Sequence, residues 1–84
     1  MATFVVIPAE KSQQLEIEIK RFENKAYRLP NGEFLIAFEG TSRQLSDMLG
    51  ITDGRSGTGI IFNISNYWGF AGKDVWEWLS VNGA

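Results

Sequence analysis

The alternation of apolar and polar positions is clearest over residues 27–40, where two apolar runs flank Asn31-Gly32. Asn-Gly is the commonest pair in a two-residue hairpin turn, because both central residues of a type I′ turn need a positive φ. The pattern predicts a hairpin with a type I′ turn at Asn31-Gly32 and arms at residues 26–29 and 34–39. The second arm is apolar at five consecutive positions, from Phe34 to Phe38. We therefore expect it in the middle of a sheet, covered on both faces.

Two further apolar runs predict strands through their β-branched and aromatic content. The first, residues 3–7 (TFVVI), is closed by Pro8. Because proline has no N–H to donate, we expect strand pairing to stop there. The second, residues 59–65 (GIIFNIS), follows a glycine-rich stretch that predicts a loop over residues 51–59.

Residues 9–24 fit two patterns. Leu15, Ile19 and Phe22 are spaced as on one face of a helix, whereas Leu15, Ile17 and Ile19 also alternate as in a half-buried strand. The Glu, Lys and Gln content and a capping serine, Ser12, favour the helix, with Ile17 partly exposed. The strand stays open as the alternative.

The best-marked helix covers residues 41–49 (TSRQLSDML). Thr41 and Gln44 form a capping box, and Gly50 supplies the left-handed residue that ends a helix. The predicted buried stripe consists of Leu45, Met48 and Leu49.

The C-terminal segment combines an aromatic connection with a short helix. Residues 66–72 (NYWGFAG) form the connection, and residues 73–81 the helix. The large rings of the connection are Tyr67, Trp68 and Phe70. The apolar stripe of the helix comprises Val75, Trp78 and Leu79, with Trp76 beside it.

The resulting order, β-α-β-β-α-β-α, predicts an α+β fold. Its first six elements match the ferredoxin-like split βαβ arrangement, a mainly antiparallel four-stranded sheet, and the seventh is an additional C-terminal helix. Right-handed crossovers place the first and third strands at the centre. The last strand is too apolar for a bare edge, so either the C-terminal segment covers it or a second subunit pairs with it. We expect the third helix to cover the sheet face that the other two helices leave open.

The amino-acid composition argues against several classes of function. The 84 residues predict one domain, residues 1–84, and its core must draw on three Trp, two Tyr and six Phe. Cysteine and histidine are absent, so thiol chemistry and the usual general base are missing. The net charge of −2 argues against coating nucleic acid. No run predicts a membrane span or a secretory signal, and we expect a soluble cytoplasmic protein.

Two stretches invite a ligand-binding interpretation. Residues 54–59 (GRSGTG) are glycine-rich, but they lack the Walker spacing and lead into a strand. They indicate a mobile connector, with Arg55 and Ser56 at its tip available to a partner. The basic residues within positions 20–28 are interleaved with glutamates, which indicates a solvated helix end more than a nucleic-acid footprint. These basic residues are Lys20, Arg21, Lys25 and Arg28.

The aromatic rings near the C-terminus are the strongest candidate for a functional site. They either fold back to complete a small core or form a contact surface, and the sequence leaves both interpretations open. Trp76 and Trp78 are two positions apart on a helix, so one of them lies at a rim or an interface.

We expect a non-enzymatic protein-interaction or regulatory module that binds another protein or itself as a homodimer. The predicted partner-binding residues are Tyr67, Trp68, Phe70, Trp76 and Arg55. The alternative is a single-stranded nucleic-acid-binding protein that uses basic residues 20–28 and an aromatic surface. No carboxylate pair stands out for acid–base work, and the sequence predicts no catalytic, cofactor-binding or metal-binding residue.

Overall fold

A computed structural model describes residues 1–69 and 71–82. Their α+β fold consists of a four-stranded antiparallel open sheet and three α-helices. The strands are β1 (Ala2–Pro8), β2 (Ala26–Arg28), β3 (Phe34–Phe38) and β4 (Gly59–Ile64). The helices are α1 (Gln13–Lys20), α2 (Ser42–Leu49) and α3 (Lys73–Asn82), and a short 3-10 turn spans Glu23–Lys25.

The strand order in the sheet is β2-β3-β1-β4. The first and third strands are therefore central and the second and fourth are edges, as the sequence predicts. All neighbouring strands are antiparallel. The four residues from Phe34 to Ala37 in β3 are all buried, which confirms that this apolar run is covered on both faces.

The hairpin between β2 and β3 is confirmed, but the predicted type I′ turn is wrong. The amide of Gly32 donates to the Leu29 carbonyl at 3.1 Å, so the turn is centred on Pro30 and Asn31. Gly32 has φ +98°, whereas Asn31 is not among the described residues with positive φ. Proline fixes φ near −65° and suits the first central position of a type I turn. Pro30 therefore shifts the turn back by one residue, and Gly32 alone adopts the left-handed conformation.

Pro8 does not end strand pairing, contrary to the prediction. It lies opposite Gly59, and the next amide, that of Ala9, donates to the Thr58 carbonyl at 2.9 Å. Hydrogen-bonded and non-bonded pairs alternate in an antiparallel ladder, so the Pro8–Gly59 pair is a non-bonded one. The missing N–H of proline therefore costs no bond with β4.

The core lies between the sheet and helices α1 and α2. The two helices contribute Leu15, Ile19, Leu45 and Leu49, each at most 2% exposed. Phe4, Val6, Phe34 and Ile36 meet them from β1 and β3. We call this helix-covered side of the sheet its inner face.

The first helix forms within residues 9–24, which resolves the open choice in favour of a helix. It is shorter than predicted, because Ser12 caps it and a 3-10 turn follows it. The Ser12 side chain accepts from the amide of Leu15 at 3.3 Å. Ile17 is exposed, as the helical pattern implies.

Helix α2 carries the predicted start and end signals. Thr41 and Gln44 form both bonds of the capping box, and Gly50 ends the helix with φ +80°. Met48, however, is 55% exposed and does not belong to the buried stripe. It lies about 100° around the helix from Leu49, outside the sector that faces the sheet.

The opposite side of the sheet, its outer face, is covered in part by α3. The Trp78 ring lies 6.2 Å from the Tyr27 ring, and the Thr3 hydroxyl donates to the Asn82 carbonyl at 3.5 Å. Leu35 and Ala37, between these two contacts on β3, are buried. The third helix thus covers the β2–β3 half of the outer face.

Candidate interaction surface

The β1–β4 half of the outer face remains open. The register pairs Ile7 with Ile60 and Val5 with Phe62, so these four side chains lie side by side on one face. Ile60 is 60% exposed, Phe62 50% and Ile7 42%. We call Val5, Ile7, Ile60 and Phe62 the open outer face. Adjacent exposed apolar side chains of this kind are typical of protein contact sites.

The outer edge of β4 adjoins this surface and presents unpaired backbone groups. The bonded Ala9–Thr58 pair fixes the alternation, so the N–H and C=O of Ile60, Phe62 and Ile64 face β1. Those of Gly59, Ile61 and Asn63 then point away from the sheet. Among the described residues, none bonds to these three outward amides or carbonyls outside the ladder. A row of free donors and acceptors is a template for another strand.

The two sheet edges differ in how far they resist such pairing. The β2 edge is three residues long, includes Arg28 and runs into Pro30. The β4 edge is six residues long and contains neither a charged residue nor proline. Charge, proline and short length are the usual protections of an edge strand, and β4 has none of them.

The predicted aromatic residues are brought together after the end of β4. The ring of Trp76 lies 6.4 Å from that of Tyr67 and 5.6 Å from that of Trp68. We call these three residues the aromatic cluster. None of them belongs to the buried core or to the hydrophobic residues packed against it. Trp68 is 92% exposed, while Tyr67 and Trp76 are half-buried.

Of the two other predicted contact residues, only Arg55 is described, and it does not join this cluster. Phe70 lies outside the described residues. Arg55 precedes β4, whereas the aromatic cluster begins after it, and a strand of this length separates its ends by about 17 Å. Arg55 is paired locally, with a guanidinium nitrogen 3.5 Å from Asp53 Oδ2.

The glycine-rich loop before β4 is confirmed as a loop, but the prediction that Ser56 is available to a partner at its tip is wrong, because Ser56 is buried and anchors the loop. Its amide donates to the Gly50 carbonyl at 2.9 Å, and its carbonyl accepts from the Ser12 hydroxyl at 2.5 Å. The loop therefore joins the start of α1 to the end of α2. The sequence gives no sign of this anchoring, because the partners lie far apart along the chain.

The basic residues of positions 20–28 are largely engaged with other side chains. Arg21 lies 3.7 Å from Glu18, and Arg28 lies 3.8 Å from Glu16. The Lys25 ammonium donates to the Asn82 side chain at 3.3 Å. These contacts reduce the positive charge available to a phosphate. On the outer face the central strands offer no ring for base stacking, so nucleic-acid binding stays a hypothesis without a supporting contact.

A cleft of about 340 Å³ lies between the start of α1 and the β2–β3 turn. It is lined by Glu10, Glu16 and Glu33 together with Lys11 and Arg28. The sequence does not group these carboxylates, and only the fold brings Glu10 and Glu16 near Glu33. Glu16 is engaged by Arg28, and the cleft shows no arrangement that assigns a reaction.

The described residues give no support for a metal site or for a membrane-spanning helix. No group of three or more acidic residues among them is placed to hold a metal ion. No helix of residues 1–69 and 71–82 combines the length and apolar character needed to cross a membrane. Comparison of the sequence with protein-family models and with curated proteins finds no match.

Proposed function

We propose that this protein is a non-enzymatic interaction module that binds an extended, uncharged segment of a polypeptide along the free edge of β4. The observation that carries the proposal is the six-residue β4 edge, unprotected by charge or proline and flanked by the open outer face. An added strand gains main-chain hydrogen bonds from the edge, and its alternate side chains gain contacts with one face of the sheet.

The chemistry of the open outer face sets the preference for the bound segment. Ile60 and Phe62 present apolar surface next to the edge, so the segment should carry β-branched or aromatic side chains at alternate positions. The exposed ring of Trp68 follows β4 by four residues and would contact the end of the bound segment. We therefore retain Trp68 as a partner-binding residue, as the sequence predicts.

We infer a ferredoxin-like split βαβ arrangement with α3 added to it. The element order and the central position of β1 and β3 support this assignment. In such an arrangement β4 is an edge by topology, so a partner reaches it without rearrangement of the sheet.

A fluorescent peptide of alternating valine and threonine, flanked by lysines, tests the proposal. We expect a saturable rise in anisotropy that is lost when alternate peptide nitrogens are methylated, because methylation removes the donors that an edge strand needs. Phe62→Ser and Trp68→Ala should each weaken binding, whereas Ile17→Ser, at an exposed site on α1, should not. Equal binding of the methylated peptide, or no binding up to about 1 mM, would refute the proposal.

A further inference from the structure

Resting on the proposed function, we infer that the segment bound along β4 is the β4 strand of a second copy of this chain, paired antiparallel across a two-fold axis. Symmetric dimers place the same surface on both sides of the interface, so each residue must suit its symmetry partner. The β4 strand meets this condition along its length.

The outward backbone groups set the register. Gly59, Ile61 and Asn63 each direct an N–H and a C=O away from the sheet. With Ile61 of both copies on the axis, Gly59 of one copy lies opposite Asn63 of the other. All three pairs are then hydrogen-bonded pairs, and the two sheets join into one sheet of eight strands.

The side chains of the open outer face are complementary in this register. Ile60 of one copy lies directly opposite Phe62 of the other, in a non-bonded pair where side chains approach most closely. A β-branched residue facing an aromatic one is a favourable cross-strand pair. The symmetry forms this pair twice, and it covers the side chains that are 60% and 50% exposed in one copy.

Charge also favours a second copy. The segment Gly59–Ile64 contains no ionisable residue, so pairing it with itself brings no like charges together. The contact is confined to one strand edge and its flanking side chains, and small interfaces, below about 1,200 Å², are typical of weak complexes. We therefore expect a reversible dimer whose population depends on concentration.

Sedimentation velocity over a concentration series, with charge substitutions on β4, tests this inference. The Ile60→Lys, Phe62→Lys double variant places lysines opposite each other and should weaken the dimer at least about tenfold, since like charges directly opposite are destabilising. The Ile60→Lys, Phe62→Glu variant places opposite charges in the same pairs and should restore most of the affinity. Ile17→Lys on α1 is the matched control and should sediment as the wild type does. Circular dichroism verifies that each variant is folded.

Amide hydrogen exchange identifies the surface involved. The amides of Ile61 and Asn63 should exchange more slowly as concentration rises, whereas that of Phe62, already bonded to β1, should not change. A monomer at about 1 mM, or a dimer indifferent to all β4 variants, would overturn the inference. A monomer that still binds the valine–threonine peptide would overturn this inference alone, and a monomer that binds no such peptide would overturn the proposed function as well.

Discussion

The Leu79→Ala substitution should detach helix α3 from the sheet, while the rest of the fold persists. Leu79 is the one buried residue within the described part of α3 and is 8% exposed. Its other contacts with the sheet and with the turn before β2 are the ring of Trp78 against that of Tyr27 and several hydrogen bonds. The Trp78 indole donates to the Asn24 carbonyl at 3.0 Å, and the Asn82 side chain accepts from Lys25 at 3.3 Å. Leu79 is therefore the most deeply buried apolar anchor of the helix.

The expected loss in the free energy of docking follows from the burial of the Leu79 side chain. Leu→Ala substitutions in cores cost about 2–5 kcal/mol, and a site under a single surface helix belongs at the lower end. A loss of about 2 kcal/mol lowers the ratio of docked to undocked helix roughly 30-fold. The hydrogen bonds that remain contribute only about 1 kcal/mol each, and the Tyr27–Trp78 ring contact contributes a similar amount. Leu79→Ala thus weakens the docking of α3, but it removes none of the core between the sheet and α1 and α2.

Two spectroscopic probes separate these effects, because all three tryptophans, at positions 68, 76 and 78, lie in the C-terminal segment. In urea unfolding of Leu79→Ala, tryptophan emission should shift at lower denaturant than far-ultraviolet circular dichroism. Val81→Ala, at a 79% exposed site on the same helix, should leave both transitions in place. Leu45→Ala, in the core, should move both together. Coincident transitions in Leu79→Ala would show that α3 unfolds with the core and would refute the reasoning.

Three further substitutions test local features of the fold by urea unfolding. Thr41→Ala removes the side chain that accepts from the Gln44 amide at 3.1 Å and should cost about 1 kcal/mol, whereas Thr41→Ser should cost less. Gly50→Ala forces a side chain into φ +80° and against the Ser56 hydroxyl, so it should cost at least about 1 kcal/mol. Arg28→Ala removes an exposed ion pair to Glu16 and should change stability by less than about 0.5 kcal/mol. A larger effect of Arg28→Ala than of Thr41→Ala would contradict this ranking.

Local signals account for most of the elements that sequence reasoning predicted. The capping box at Thr41 and the glycine at position 50 act through bonds within one helix, and the structure places both as expected. The hairpin was also predictable, but its turn was not, because Pro30 and Asn31-Gly32 favour different centres. Pro30, whose ring fixes its φ, determines where the turn is centred, and Gly32 adopts the positive φ that this turn requires.

The failures concern contacts between distant parts of the chain. Met48 fits a helical stripe by spacing, yet the direction of the core decides its exposure. The bond between Ser12 and Ser56 and that between Trp78 and Asn24 join residues with no local relation. The candidate site, too, could be predicted from the sequence only in part. The apolar character of β4 and the aromatic cluster were visible in the sequence, whereas the open outer face required the strand register.

The partial cover by α3 explains why β4, and not β2, is the edge available to a partner. A sheet whose central strands are apolar on both faces needs two layers, and α1 and α2 supply only one. Helix α3 is anchored at Tyr27, Asn24 and Thr3, so it shields the face beside β2 and stops short of Ile60 and Phe62. A cover that extended to β4 would bury these side chains but would leave no apolar surface beside the free edge. The position of α3 therefore both completes the fold over β3 and leaves the surface at which we propose that a second copy binds.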